Sequence, residues 1–482
     1  MASVYEQYET VIGLEIHVQL STHSKAFCAD DASFGGAPNT HISAISLGHP
    51  GTLPKLNKQQ AACAIRLGLA LGSQIQMTST FDRKNYFYAD LPKGYQITQD
   101  RLPICIGGSL KITSDGQTKT IRIHHIHMEE DAGKSMHDQA PRHSLIDLNR
   151  AGVPLLEVVS EPDLRSANEV DAYMSAMRQL VRYLNISDGN MEEGSLRCDC
   201  NVSVRKKGAT TLGERCEIKN LNSMRYARRA IEYEVKRQID LLESGGKVAQ
   251  QTRHFDPESG ITSALREKED AHDYRYFPEP DLPPVIISQS LLDELTQSQP
   301  PLPWQCRQLL NTTYGLPDYD AEQLTSEPAT IQYYLQLCEY TPNYKAAANL
   351  VINKLLPWCG ENNKELSEFP CLPASLAEFI ALIDKGIVSN AVAYQRLLPA
   401  MTEAPGKKPT ELAEELHLVQ THDTNALEAW VDQVIEANPD KVKAYKNGKK
   451  GLLGFFMGEV MRLSKGKAEP KATQALVEQK LA

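Results

Sequence analysis

The sequence predicts an α+β fold: a mixed sheet-and-helix body over residues 1–290, an all-helical middle over 291–404 and a small helical tail over 405–482. Three observations predict it. Val11–Leu20 alternates apolar and polar residues with period two, two later stretches of the same body repeat at helical spacing, and the proline-rich joints at 278–284 and 403–409 are followed by helical patterns alone.

In the first stretch Ile12, Leu14, Ile16, Val18 and Leu20 share one strand face, while Glu15, His17 and Gln19 share the other. Same-face side chains stand roughly 6 to 7 Å apart along a strand. Taken alone the pattern suits first an amphipathic strand with a wet outer face, and second an acid and an imidazole converging on a cation or a phosphate. Next, Asp82–Gln96 brings Arg83, Lys84 and Lys93 among aromatic residues, as cations for phosphoryl chemistry. The strand Thr120–His127 runs into Glu129, Glu130 and Asp131. Alternation puts Glu129 and Glu130 on opposite faces, so both serve one site only if the strand ends or bulges there.

Leu155–Glu161 carries Glu157 and Glu161. Ser166-Ala-Asn-Glu169 is a capping-box sequence, and Val170, Tyr173, Met174, Met177, Val181 and Leu184 extend its helix to about Asn185. After Glu192 and Glu193, Arg197, Asp199 and Asn201 share one face of a strand, and Cys198, Cys200, Val202 and Val204 share the apolar one as core residues. A second helix from about Ser223 to Glu243, ended by Gly245-Gly246, carries Arg225, Arg228, Arg229, Lys236 and Arg237 on a face expected to be exposed near phosphate. Short tail helices begin near Thr410, Asn425, Pro439, Gly451 and Pro470.

Composition narrows the class. The chain has 482 residues, 41% hydrophobic and 23% charged, as in ordinary globular proteins. No apolar run approaches the roughly 18 to 20 residues of a membrane span, and the N-terminal residues resemble neither a signal nor a transit peptide. No membrane association and a cytoplasmic location are expected. Ten scattered cysteines do not form a disulfide framework. A net charge of −10 argues against indiscriminate nucleic-acid binding, yet residues 441–482 hold ten Lys or Arg against three Glu. That tail is either a solvated helical face or a phosphate-contacting surface.

If the acidic strand ends meet, four or more carboxylates share a site, and like charges resist joint ionisation unless a cation compensates. Oxygen-rich donors with an occasional His suit Mg²⁺ or Mn²⁺ better than Zn²⁺, and such sites commonly hold nucleotide phosphates. Asp131-Ala-Gly-Lys-Ser135 ends like a P-loop, but Met128 stands where the first Gly is required. There is no Gly-x-Ser-x-Gly elbow either.

Ile12–Leu20, Asp82–Gln96, Met128–Lys134, Asn149–Leu155, Glu157–Asp163, Met191–Asp199 and Gly454–Met461, in that order, resemble the B-subunit family of aspartyl/glutamyl-tRNA(Asn/Gln) amidotransferases from about Tyr8 to the C-terminus. The resemblance implies a cradle-shaped α+β kinase body, a helical domain and a YqeY-like tail that contacts tRNA. It also implies a heterotrimer with an amidase (glutaminase) subunit and a small linking subunit. The activity implied is ATP- and Mg²⁺-dependent phosphorylation of the side-chain carboxylate of Glu-tRNA(Gln) or Asp-tRNA(Asn), followed by amidation with ammonia from the amidase. Position by position, it implies metal ligands at His17, Glu129, Glu130 and Glu157 and catalytic roles for Glu15, Glu130 and Lys84, to which Asp199 is added from the polar face it shares with Arg197 and Asn201. Lys84 and Glu130 resemble groups near the mouth of an ammonia path. Arg83, Lys93, Arg197 and Asn201 are expected to bind the nucleotide. Where many members carry four cysteines of a zinc site, this chain has Cys28, Asp30, Ser43 and Ser46, so no zinc is expected.

Overall fold

The computed structural model describes residues 3–136, 142–267, 274–420, 424–464 and 466–481. The chain divides into two compact units, Met1–Pro303 and Trp304–Ala482.

Five strands of the first unit matter most: β1 (Tyr8–Gln19), β2 (Gln117–Glu130), β3 (Pro154–Ser160), β4 (Leu196–Lys206) and β5 (Cys216–Leu221). They form the centre of a ten-stranded sheet in the order Ile261–Glu267, Gln251–Asp256, β5, β4, β1, β3, β2, Cys105–Ile106, Gln74–Ile75, with Ser109–Ser114 also paired to β2. The sheet is mixed. β5 runs parallel to Gln251–Asp256, and the other pairs are antiparallel.

Three helices, α1 (Lys58–Leu71), α2 (Ala167–Tyr183) and α3 (Met224–Glu243), cover one face. The apolar half of the β1 alternation, Ile12, Leu14, Ile16 and Val18, is buried with Ile65 and Leu67 of α1, Tyr173 and Met177 of α2, and Ala230 and Ile231 of α3. Cys198 and Cys200 lie in the same core, as the alternation of β4 requires. Burying one face of every central strand leaves the opposite face to carry the polar residues.

The α2 start departs in one detail from a capping box. Ser166 Oγ accepts from Glu169 N at 3.2 Å, but Glu169 Oε2 accepts from Arg165 N at 2.7 Å and from Lys119 at 2.8 Å. The basic residues of α3 also differ from expectation. Arg228 pairs with Asp171, Arg229 donates to the Pro257 carbonyl, and Arg237 pairs with the buried Glu234. Arg228 and Arg229 tie α3 to its neighbours and Arg237 pairs within the helix, which corrects the expected free basic face; Arg225 and Lys236 remain exposed.

The second unit is all helical. Helices Pro328–Cys338, Tyr344–Leu350 and Pro373–Asp384 pack on one another, and Pro409–Glu415 packs against Pro373–Asp384 and Leu398–Glu403. A separate small core of Leu427, Val431, Tyr445, Phe456, Val460, Val477 and Leu481 begins with the helix Thr424–Glu436. Of the basic tail residues, Lys465 lies outside the described residues.

Candidate functional site

Register assembles the site on the helix-free face. On β1, His17 faces Glu157 of β3 and Arg197 of β4, Glu15 faces Val159 and Asp199, and Gly13 faces Asn201. β2 adds His127 opposite Glu157 and Glu129 opposite Leu155. Directly opposed residues in antiparallel strands share a face, so period two and register together put these polar side chains in one row.

At one end of the row His17 Nε2 lies 3.4 Å from Glu157 Oε2 and 3.8 Å from Glu129 Oε1. His127 Nε2 lies 3.4 Å from Glu157 and 3.6 Å from Glu129. One donor atom each of His17, Glu129 and Glu157 lie within 4.8 Å of one another. Burial alone would lower the imidazole pKa of His17, and the Glu157 and Glu129 carboxylates more than offset it, raising it to about 9. Burial would raise Glu157, and His127 and His17 instead hold it well below the usual carboxylate range. Two carboxylates and an imidazole, held close in a partly desolvated pocket, are the donor chemistry of a hard divalent cation. A series of imidazoles continues outward: His127 Nδ1 is 3.0 Å from His125 Nε2, and His125 Nδ1 is 2.7 Å from His124 Nδ1.

Lys84 stands beside this group. Desolvation would lower its pKa, but Tyr276, Glu129 and Glu157 together raise it. Its ammonium lies 4.9 Å from the Tyr274 ring centroid and makes no ion pair among the described residues.

Further along the row, donor atoms of Glu15, Asp199 and Glu217 also lie within 4.8 Å of one another. Asn201 Nδ2 donates to Glu15 at 2.9 Å, and Lys219 approaches Glu217 at 2.9 Å and Asp199 at 3.7 Å. Burial, and then the Glu157 charge, raise the Glu15 pKa. Lys219 and Glu217 were missed from sequence. Their signal was the alternation Glu217-Ile-Lys219, which matches that of β4 but becomes informative only once β5 is known to pair with it. His127 was missed as a site residue although it shares a strand face with Glu129.

Other expected site residues point elsewhere. The β2 alternation persists to its end, so Glu130 faces away from Glu129: its Oε1 accepts from Ile97 N at 2.9 Å and pairs with Lys93. Glu130 and Lys93 border a separate cavity of about 100 Å³ with Phe27, His49 and Thr52. The structure therefore does not bring Glu130 into the His17 group. Arg83 is likewise turned away, bonded to Glu279 at 2.7 Å and 3.0 Å and to Asp281 at 3.0 Å. Arg197, by contrast, stays in the row opposite His17 and donates to Asp131 at 2.9 Å.

Cys28, Asp30, Ser43 and Ser46 do converge, but without the donors of a zinc centre. Ser46 Oγ donates to Asp30 Oδ2 at 2.5 Å and accepts from Ser43 N at 2.9 Å. Burial pushes the Cys28 thiol up to about 11, whereas a zinc ligand must be a thiolate.

Residues 10–293 match a family described as the GatB/GatE catalytic domain, and residues 332–481 match one described as the GatB domain. Curated relatives, each named as the B subunit of an aspartyl/glutamyl-tRNA(Asn/Gln) amidotransferase, align over nearly the whole length. That of Myxococcus xanthus is 49% identical over 98% of both chains. That of Geobacter sulfurreducens is 49% identical over 98% of this chain and 99% of its own.

Proposed function

The chain belongs to the GatB family of amidotransferase B subunits, and from that premise we propose that its first unit is an ATP-dependent kinase body acting on aminoacyl-tRNA. As a subunit of such an enzyme it converts misacylated Glu-tRNA or Asp-tRNA to Gln-tRNA or Asn-tRNA. In the proposed reaction the side-chain carboxylate takes the γ-phosphoryl group of ATP and releases ADP. Ammonia then displaces phosphate and forms the amide. A carboxylate is a poor acyl donor, and phosphorylation gives it a leaving group.

The observation that carries this reading is the convergence of His17, Glu129 and Glu157 within 4.8 Å, with Lys84 beside them. These three residues would hold Mg²⁺, which supplies charge neutralisation on the phosphate oxygens when bound. Lys84 is free to bond a phosphoryl oxygen during transfer. Asn201 and Lys219 hold Glu15 and Asp199 in the neighbouring acidic cluster, where a second contact to the substrate's charged groups is available. Glu130, joined to Lys93 at the smaller cavity, is proposed to stand at the ammonia entry rather than among the metal ligands. Arg83 and Arg197 act as positioning residues, fixing the loop near Glu279 and the end of β2 through Asp131.

Partners in this reading are an amidase that supplies ammonia, a small linking subunit and the misacylated tRNA, in a cytoplasmic setting. Among the described residues no helix is long and apolar enough to cross a membrane. The division at about residues 290 and 404 into kinase body, helical domain and tail belongs to the same proposal, with the basic tail on tRNA. In the reconstituted complex, His17→Ala and Glu157→Gln should each abolish tRNA-dependent ATP hydrolysis while leaving tRNA affinity largely intact. Normal turnover by both variants would refute the assignment.

A further inference from the structure

The end of β2 that carries Glu129 outruns its outer neighbour. Cys105–Ile106 pairs with β2 at Ile126 and His125, and among the described residues no strand continues that edge to Glu130. Buried glutamine side chains hold the backbone there residue by residue. Met128 N donates to Gln99 Oε1 at 2.9 Å, and Gln96 Nε2 donates to the Glu130 carbonyl at 2.7 Å. From the helix side Gln60 of α1 spans β2 and β3, its Nε2 donating to the Glu129 carbonyl at 2.7 Å and to the Leu155 carbonyl at 3.3 Å. Its aim is set at the start of α1, where the Asn57 side chain accepts from Gln59 N at 2.9 Å and Asn57 N donates to the Ala26 carbonyl at 2.8 Å. Gln60 is fully buried beside the apolar Ala61, Ala64, Ile65 and Leu67 of the same helix, and its Oε1 has no donor among the described residues. A buried carbonyl oxygen without a donor costs stability, and an apolar side chain avoids that cost. Packing alone therefore gives no reason for an amide at this position.

We propose that Gln60 is a positioning residue of the cation site: by joining the Glu129 and Leu155 carbonyls it fixes where the Glu129 and Glu157 carboxylates stand relative to one another. The proposal rests on the metal-site reading above and deepens it. Glu129 and Leu155 are register partners, and Glu157 follows two residues along β3 on the same strand face as Leu155. A shift of either strand at that step moves one carboxylate against the other. Mg²⁺ demands ligand oxygens at about 2.0 to 2.1 Å in a near-octahedral array, so a small displacement of one carboxylate changes its affinity. Gln99 and Gln96 restrain the residues on either side of Glu129. The alternation of β2 thus persists beyond its outer neighbour and does not relax into a bulge, which keeps Glu129 on the site face and Glu130 on the other. Side chains behind the ligands of a metal site set its affinity in this way.

Gln60→Met tests this, because it keeps the length of the side chain and removes only the amide. With the full chain assembled with its partner subunits, without ATP or tRNA, Mn²⁺ affinity read from the EPR signal of free Mn²⁺ should fall by about tenfold. The melting temperature should hold or rise, since the unpaired Oε1 is lost as well. Gln60→Leu, an independent apolar replacement, should behave alike. In turnover the loss should appear as a raised Mg²⁺ concentration for half-maximal tRNA-dependent ATP hydrolysis, with kcat at saturating Mg²⁺ changed much less. Unchanged Mn²⁺ affinity in both variants overturns the proposal. So does a loss of affinity in step with a fall in melting temperature, which would make Gln60 a residue of the core and no more. Absence of Mn²⁺ binding by the unsubstituted complex, or equal affinity in His17→Ala, would instead bring down the metal-site reading on which the proposal rests.

Discussion

Glu129 and Glu130 are adjacent in sequence and have unlike work. Glu129 shares the His17 and Glu157 group, while Glu130 is buried against Lys93. Removing one partner of a buried ion pair leaves the other charge uncompensated, at about 3 to 5 kcal/mol. Glu130→Gln should therefore lower the unfolding free energy by about that amount in denaturant titration. Glu129→Gln relieves repulsion with Glu157, and should lose divalent-dependent ATP hydrolysis at little cost in stability. Equal stability losses in the two variants would contradict this division. Near Cys28, Ser46 Oγ donates to Asp30 and accepts from Ser43 N, and in the proposed reading no zinc is held there. Elemental analysis should find no stoichiometric zinc, and chelator should leave the melting temperature unchanged.

Helix α3 shows what an element gains by burying charge. Glu234 accepts from Arg237 at 2.6 Å and 3.0 Å and from Thr262 at 2.8 Å, and Arg253 approaches it at 3.2 Å, so α3 is tied to Gln251–Asp256 and Ile261–Glu267. Burial would raise the carboxyl, but bonds from Arg237 and Gln238 prevail and lower it. A carboxyl lowered in the folded state contributes fully above its unfolded pKa, about 4.3, and that contribution is lost as pH falls through the folded value. The unsubstituted protein should thus lose melting temperature below about pH 4 more steeply than Glu234→Gln does. Parallel acid profiles would show that Glu234 is not the linked group. At the start of α2, Ser166→Ala should cost about 1 kcal/mol through loss of the Glu169 N–H acceptor, as read from a denaturant midpoint.

For the whole molecule, the two units have separate cores, and the tail core begins at the helix Thr424–Glu436, after Pro409–Glu415 has packed on the preceding helices. A truncation at 410 would strip part of the middle, whereas one at 423 removes only the tail core. In the assembled enzyme, loss of 424–482 should weaken tRNA binding and make its salt dependence shallower, by about one unit of log–log slope for each phosphate no longer neutralised. Unchanged affinity and slope would leave the basic tail as a solvated surface. The sequence by itself determined the α+β body, its helical continuation and the polar face of β1, because period-two and 3.6-residue spacing are local properties of the chain. The ordered motifs also made the family legible. Only the tertiary structure decided that β1 lies between β3 and β4, that Glu217, Lys219 and His127 join the row, and that Arg83 and Glu130 leave it. Alternation says which side of a strand a residue occupies, but which strands become neighbours is a long-range choice made by packing the whole sheet on its helices.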